Sequence, residues 1–298
     1  MKTPGAIRQR AVPTGGSALP ASLHPVLRRI LLARGVTDAA ELQLDLKCML
    51  PPGQLSGIEE AAALLADAVT GDKKILVVGD FDADGATGSA VAVLALRWMG
   101  CTRISFRVPN RFEFGYGLTV PLVATLAHEP PDVLITVDAG ISCVAGVASA
   151  RQLGCTVVIT DHHLPGAVLP AANAIVNPNC AGDGFPSKSL AGVGVVFYLA
   201  GMLRQNLRQR NWFSSRRPEP NLAHLLDLVA LGTVADLVPL DHNNRVLVQQ
   251  GLERIRRGLA RPGLMALFRA SNRDYRFATT ADLGFAIGPR LNAAGRLE

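Results

Sequence analysis

Four short apolar runs, at 75–78, 104–108, 133–137 and 156–160, are separated by stretches whose apolar residues recur at helical spacing. The runs are rich in β-branched residues and almost unbroken, the pattern of strands buried on both faces. Helices are predicted between them at 86–99, 121–128 and 143–152. Repeated strand–helix units of this kind predict an α/β fold built on a doubly wound, mainly parallel sheet. Upstream, a helix at 25–33 carries Leu27, Ile30 and Leu31 on one face. Ser56 and Glu59 read as a capping box for a helix with Ile58, Leu64, Leu65 and Val69 as its apolar stripe, ended by Gly71. After a short apolar segment at 174–176 the pattern turns helical at 191–210 and 222–231. A basic amphipathic helix at 244–259, with Val246, Leu247, Leu252 and Ile255 on its apolar side, is expected to act as a connector. These patterns divide the chain into an N-terminal arm with a helical segment (1–54), an α/β unit (55–241) and a basic connector leading into a truncated second domain (242–298).

The chemistry gathers where the strands end. Asp80, Asp82 and Asp84 alternate directly after the first strand, so they converge if the extended geometry persists past Gly79. Asp138 follows the third run, and Asp161, His162 and His163 follow the fourth. Sites in open parallel sheets collect at the carboxyl ends of strands. Carboxylates crowded there repel unless protons or cations neutralise them, and oxygen-rich sites suit hard divalent ions. Plainer readings stand beside this one. The acidic loop can be a solvated turn, Asp161 a helix cap, the histidines surface residues, and Asp236 a buried structural acid. Asp227 is expected to face solvent or make a structural bond.

Composition narrows the classes. With 49% hydrophobic residues the chain is not disordered, and no apolar stretch is long enough to cross a bilayer. Residues 1–17 lack the apolar core of a signal peptide, so a cytoplasmic protein with no membrane partner is expected. The five cysteines form no CxxC pair and read as reduced thiols. Net charge is +6, unevenly placed: residues 1–200 carry 15 basic against 16 acidic side chains, whereas 201–298 carry 15 against 8, every basic one an arginine. That asymmetry suits a polyanionic substrate, though solvated helix faces also account for it. Arg111, Phe112, Phe114 and Tyr116 form a basic and aromatic stretch that can pair phosphates and stack on bases, or equally make a packed loop turned by Gly115 and Gly117. The glycines of AGVG (191–194) suit either close backbone approach to a substrate or close helix packing.

GDFDADG (79–85), ITVDAG (135–140), ITDHH (159–163) and GTVADLVPL (232–240) together resemble the motif set of the DHH phosphoesterase superfamily. With PNRFEFGYGL (109–118), LAGVGVVFYLA (190–200) and IGPRLNAAGRL (287–297), the resemblance extends to the RecJ-type single-stranded-DNA exonucleases. It runs from about residue 20 to the end of the chain. Asp80 opens the first motif where pyrophosphatase-like members carry histidine, and Gly88 stands where serine is expected.

The resemblance implies a metal-dependent phosphodiesterase that degrades single-stranded DNA with 5′→3′ polarity, releases 5′-mononucleotides by two-metal hydroxide attack and serves DNA repair and recombination. It implies Asp82, Asp84, Asp138, His162 and Asp236 as ligands of two divalent ions, Asp138 bridging, with Asp80 a further ligand or a supporting acceptor. The imidazole favours manganese, with magnesium possible. His163 would act beside the scissile phosphate, oriented by Asp161. Arg111, Tyr116, Arg290, Asn292 and Arg296 would contact substrate. Partners implied are single-stranded DNA, a single-strand-binding protein and a DNA helicase. The family's second domain and oligonucleotide-binding barrel are expected to lie outside this chain. The alternatives are a phosphodiesterase of oligoribonucleotides or cyclic dinucleotides, and a non-catalytic scaffold, which this ligand set disfavours. Asp84→Ala and His162→Ala are expected to abolish turnover and leave folding largely intact.

Overall fold

The structure, a computed structural model, describes residues 11–12 and 17–295. Helix α1 (Pro25–Leu32) precedes α2 (Ile58–Thr70), after which the chain enters the sheet. Its elements are β1 (Ile75–Gly79), α3 (Ala83–Trp98), β2 (Ile104–Arg107), the short helices α4 (Arg111–Phe114) and α5 (Val120–Ala124), β3 (Val133–Val137), α6 (Val144–Gln152), β4 (Thr156–Thr160) and β5 (Ala174–Val176). The strands form one parallel sheet in the order β2-β1-β3-β4-β5, the doubly wound α/β architecture expected.

Alternate strand residues feed two apolar layers, as the pleat requires. Ile75, Val77, Val133, Ile135, Val137 and Val158 pack with α2, α3 and the long helix α7 (Gly192–Gln209). Leu76, Val78, Leu134, Val157 and Ile159 face α5 and α6 on the other side. Three further helices follow: α8 (Leu226–Ala235), α9 (His242–Arg256) and α10 (Pro262–Ala270). The apolar side expected of the basic amphipathic helix is buried in α9. Then α11 (Thr280–Asp282), a π-helical turn at Leu283–Ile287 and α12 (Gly288–Ala294) run on as one helix. A third apolar cluster joins this region through Leu231, Leu252, Phe268 and Ile287. Among the described residues no helix is long and apolar enough to cross a membrane, and all five cysteines are free.

Several local expectations are corrected. Ser56 does not cap α2. The cap position is Gly57, in the left-handed region at φ 72°, where a Cβ would stand 2.1 Å from the Ile175 carbonyl oxygen. Only glycine lets α2 start that close to β5. The acidic loop is not extended: Asp82 is the N-cap of α3 and Asp84 lies in its first turn, so the helix begins three residues before the expected 86. The loop at 111–116 opens as the short helix α4. Leu27 and Ile30 of α1 are exposed rather than packed. Asp227 is buried, accepting a 2.6 Å hydrogen bond from the Arg261 amide, the structural alternative.

Candidate metal centre

The rim formed by the carboxyl ends of β1, β3 and β4 carries the site. Past β1, the Asp80 amide donates to the Val137 carbonyl at 3.2 Å, and the Asp80 side chain accepts from the Phe81 amide at 2.7 Å. Asp82 Oδ1 accepts from the Gly85 amide at 2.9 Å, which fixes the entry to α3. Asp84 is buried, and its two oxygens accept from the Gly192 and Val193 amides at 2.7 and 3.0 Å, the first residues of α7.

Asp138, directly after β3, sits in the left-handed region at φ 57°, unusual for a residue with a Cβ. Its amide donates to Thr160 at 3.0 Å, and its carbonyl accepts from the Tyr116 hydroxyl at 3.3 Å. That twist turns the carboxylate toward α7, where a Cβ on Gly192 would lie 2.6 Å from Asp138 Oδ1. The glycine at 192 is therefore needed for approach to carboxylates.

Asp161 is the anchor of its triplet. Oδ1 accepts from the His162 and His163 amides and from His163 Nδ1, at 2.7, 3.0 and 2.7 Å, while Oδ2 accepts from the Ile141 amide at 2.9 Å. Burial pushes Asp161 up, but the His163 hydrogen bond and the backbone amides outweigh it and hold the carboxyl below its usual range. The same bond raises the His163 pKa, favouring imidazolium. The Tyr116 ring meets the His163 ring edge-on, 6.3 Å between centroids.

Asp236, at the C-cap of α8, closes the pocket. His162 Nε2 lies 3.1 Å from Asp138 Oδ1 and 3.6 Å from Asp236 Oδ2. These three atoms are buried and none has a hydrogen-bond partner, so three metal-ligating atoms converge at one point. Donor atoms within 4.8 Å of one another make three sets: Asp80, Asp82 and Asp138; Asp84, His162 and Asp236; Asp138, His162 and His163. Burial, reinforced by the neighbouring carboxylates, pushes Asp80 up to about 6 and raises Asp84, Asp138 and Asp236. A pocket whose acids resist ionising together calls for positive charge. Carboxylate oxygens with one imidazole fit divalent manganese or magnesium.

The sequence-predicted Asp80, Asp82, Asp84, Asp138, Asp161, His162, His163 and Asp236 thus meet in one pocket, with Tyr116 at its edge. Asn292 reaches the start of α3, its Oδ1 accepting from the Ala83 amide at 2.7 Å. Arg290 is exposed, its Nη1 donating to Ala286 at 2.5 Å. The Arg111 side chain and Arg296 lie outside the described residues. Sequence reasoning missed the α7 amides and two asparagines: Asn177 and Asn179 donate to the carbonyls of His163 and His162 at 2.9 and 2.6 Å. The Asn-Pro-Asn turn at 177–179, directly after β5, was a readable signal.

A family model described as "DHH family, N-terminal domain" matches residues 74–233, the segment that supplies all of these pocket residues but Asp236. The chain belongs to the DHH family. Among curated members, the single-stranded-DNA-specific exonuclease RecJ of Escherichia coli (strain K12) is 57% identical over 281 residues, 94% of this chain and 49% of that protein. The same-named protein of Bacillus subtilis (strain 168) is 38% identical, over 94% of this chain and 34% of that one. The chain therefore spans about half the length, or less, of these relatives. Of solved DHH structures, exonuclease RecJ bound to manganese superposes with TM-score 0.70 at 37% identity, covering 81% of this chain and 58% of that one. RecJ of Thermus thermophilus in complex with Mn2+ gives TM-score 0.71 at 33% identity, covering 89% and 36%. In this DHH protein the triplet that names the family is Asp161, His162 and His163.

Proposed function

We propose that this chain is the catalytic part of a metal-dependent phosphodiesterase that removes 5′-mononucleotides from the 5′ end of single-stranded DNA. The observation that carries the reading is the convergence of Asp138 Oδ1, His162 Nε2 and Asp236 Oδ2, buried and without a hydrogen-bond partner. Relatives named as single-stranded-DNA-specific exonucleases support the substrate class. Asp82, Asp84, Asp138, His162 and Asp236 would hold a pair of divalent cations, Asp138 shared between them and Asp80 supporting. The Asp84 oxygens accept one amide each, which leaves a lone pair on each for a cation. Manganese would be preferred over magnesium because one donor is an imidazole. When bound, such cations supply Lewis acidity to the phosphate and acidify water.

The chain's own groups do the remaining work. His163, half-exposed and with its pKa raised by the hydrogen bond to Asp161, would donate a hydrogen bond or proton to the phosphate oxygens as bond cleavage develops charge. Tyr116 packs against that imidazole in a T-shaped contact. Arg111, Arg290 and Arg296 would grip the DNA backbone without reading sequence. The same reading places the protein in the cytoplasm, in recombination and repair, beside a single-strand-binding protein and a DNA helicase.

The test uses oligonucleotides labelled at either end, incubated with the 298-residue chain and Mn2+. Early release of the 5′ label as a mononucleotide, abolished by chelator, is expected. Faster hydrolysis of dinucleotides than of long strands, or release from the 3′ end, would contradict the reading.

A further inference from the structure

The Asn292 amide oxygen, expected to face substrate, is occupied by the amide of Ala83 at 2.7 Å. Ala83 opens α3 between Asp82 and Asp84, and its N–H is one that the helix cannot satisfy internally. The C-cap of α12 touches the same loop again: a Cβ on Gly295 would stand 2.2 Å from the Phe81 carbonyl oxygen. Its other end meets α8 beside Asp236, where a Cβ on Gly288 would lie 3.0 Å from Ala235 Cβ. Ile287 and Leu291 seat the helix in the third apolar cluster. One short helix therefore touches both the 81–83 turn and the end of α8, the segments that deliver Asp82, Asp84 and Asp236.

We infer that Asn292 is a positioning residue for the cation pocket, acting through Ala83 on the turn that presents Asp82 and Asp84, while Gly288 seats the same helix against the segment presenting Asp236. The inference rests on the metal-centre reading above. Groups that orient metal ligands typically matter 10–100-fold in metal affinity. Asn292→Ala removes the acceptor and leaves every carboxylate in place. It is expected to weaken Mn2+ binding about tenfold, to regain hydrolysis at raised Mn2+, and to leave the KM for DNA unchanged. Asn292→Asp keeps an acceptor at the same reach and places negative charge at a helix N-terminus. It is expected to hold Mn2+ within about threefold of the parent.

The experiment titrates Mn2+ into the 298-residue chain and both variants, reading free Mn2+ by electron paramagnetic resonance and the fold by circular dichroism. Weak binding by Asn292→Ala with recovery in Asn292→Asp supports the assignment. Parent-like Mn2+ affinity with a raised KM makes Asn292 a substrate contact and overturns it. If the alanine variant does not fold, Asn292→Gln, whose acceptor is displaced by a methylene, decides by the same readout. A parent chain that takes up no Mn2+ overturns the underlying reading as well, an outcome distinct from a parent and variant that bind alike.

Discussion

Asp84 does two jobs at once. It contributes to the acidic pocket, and it is the acceptor for the buried amides that begin α7. Asp84→Ala is therefore expected to abolish hydrolysis and also to lose roughly 1–3 kcal/mol of stability, because donors are left unsatisfied. The sequence alone suggested that this variant would leave folding largely intact. His162→Ala serves as the contrast: its ring lies against Asp138 and Asp236 but holds no backbone amide, so hydrolysis is expected to be lost with a smaller metal-free stability loss than in Asp84→Ala. Urea unfolding of both variants in chelator checks the pair; equal stability losses would contradict the dual role. Asp80, Asp138 and the Asp161 triplet were legible because each follows an apolar run. The amides of Gly192, Val193 and Ile141 were not, since a backbone donor leaves no mark in the residue type.

At the scale of elements, the strands were readable from their unbroken β-branched runs, and the sheet order fits the short crossovers between them. Errors fell at helix starts, where local capping chemistry competes with periodicity. Asp82 capping α3 overrode the alternation that implied an extended loop. Gly57 rather than Ser56 takes the cap position of α2, and the Ser56 amide instead donates to Asp183 Oδ2 at 2.7 Å. Asp183 also accepts from the Phe185 amide and from Lys188 Nζ, at 2.8 and 2.9 Å. Burial alone would raise its pKa, but those bonds outweigh it and hold the carboxyl below the usual 3.8. The stabilisation is therefore present above pH about 4 and is lost as pH falls through the lowered value. Thermal melts of the parent and Asp183→Asn should differ at pH 7 and converge in acid. A gap independent of pH would contradict this.

For the whole molecule, several of the 15 arginines of residues 201–298 are committed to ion pairs within the fold, so fewer are free to meet a polyanion than their number implies. Arg208 pairs with Glu219, Arg245 with Glu41 and Arg276 with Asp274. Binding of single-stranded DNA should weaken with salt at a logarithmic slope of about −2, corresponding to about three phosphates. A slope near zero would remove the electrostatic grip from the proposal. The pocket itself is a property of the whole chain, since its carboxylates follow β1, β3 and β4, open α3 and end α8, and meet only when the sheet and the helices behind it close. The most direct test is anomalous scattering from crystals of this chain grown with Mn2+. Two peaks are expected in the pocket, within about 2.2 Å of donor atoms from Asp82, Asp84, Asp138, His162 and Asp236. Crystals with Mn2+ only at outlying carboxylates, and none between Asp138, His162 and Asp236, would contradict the metal centre.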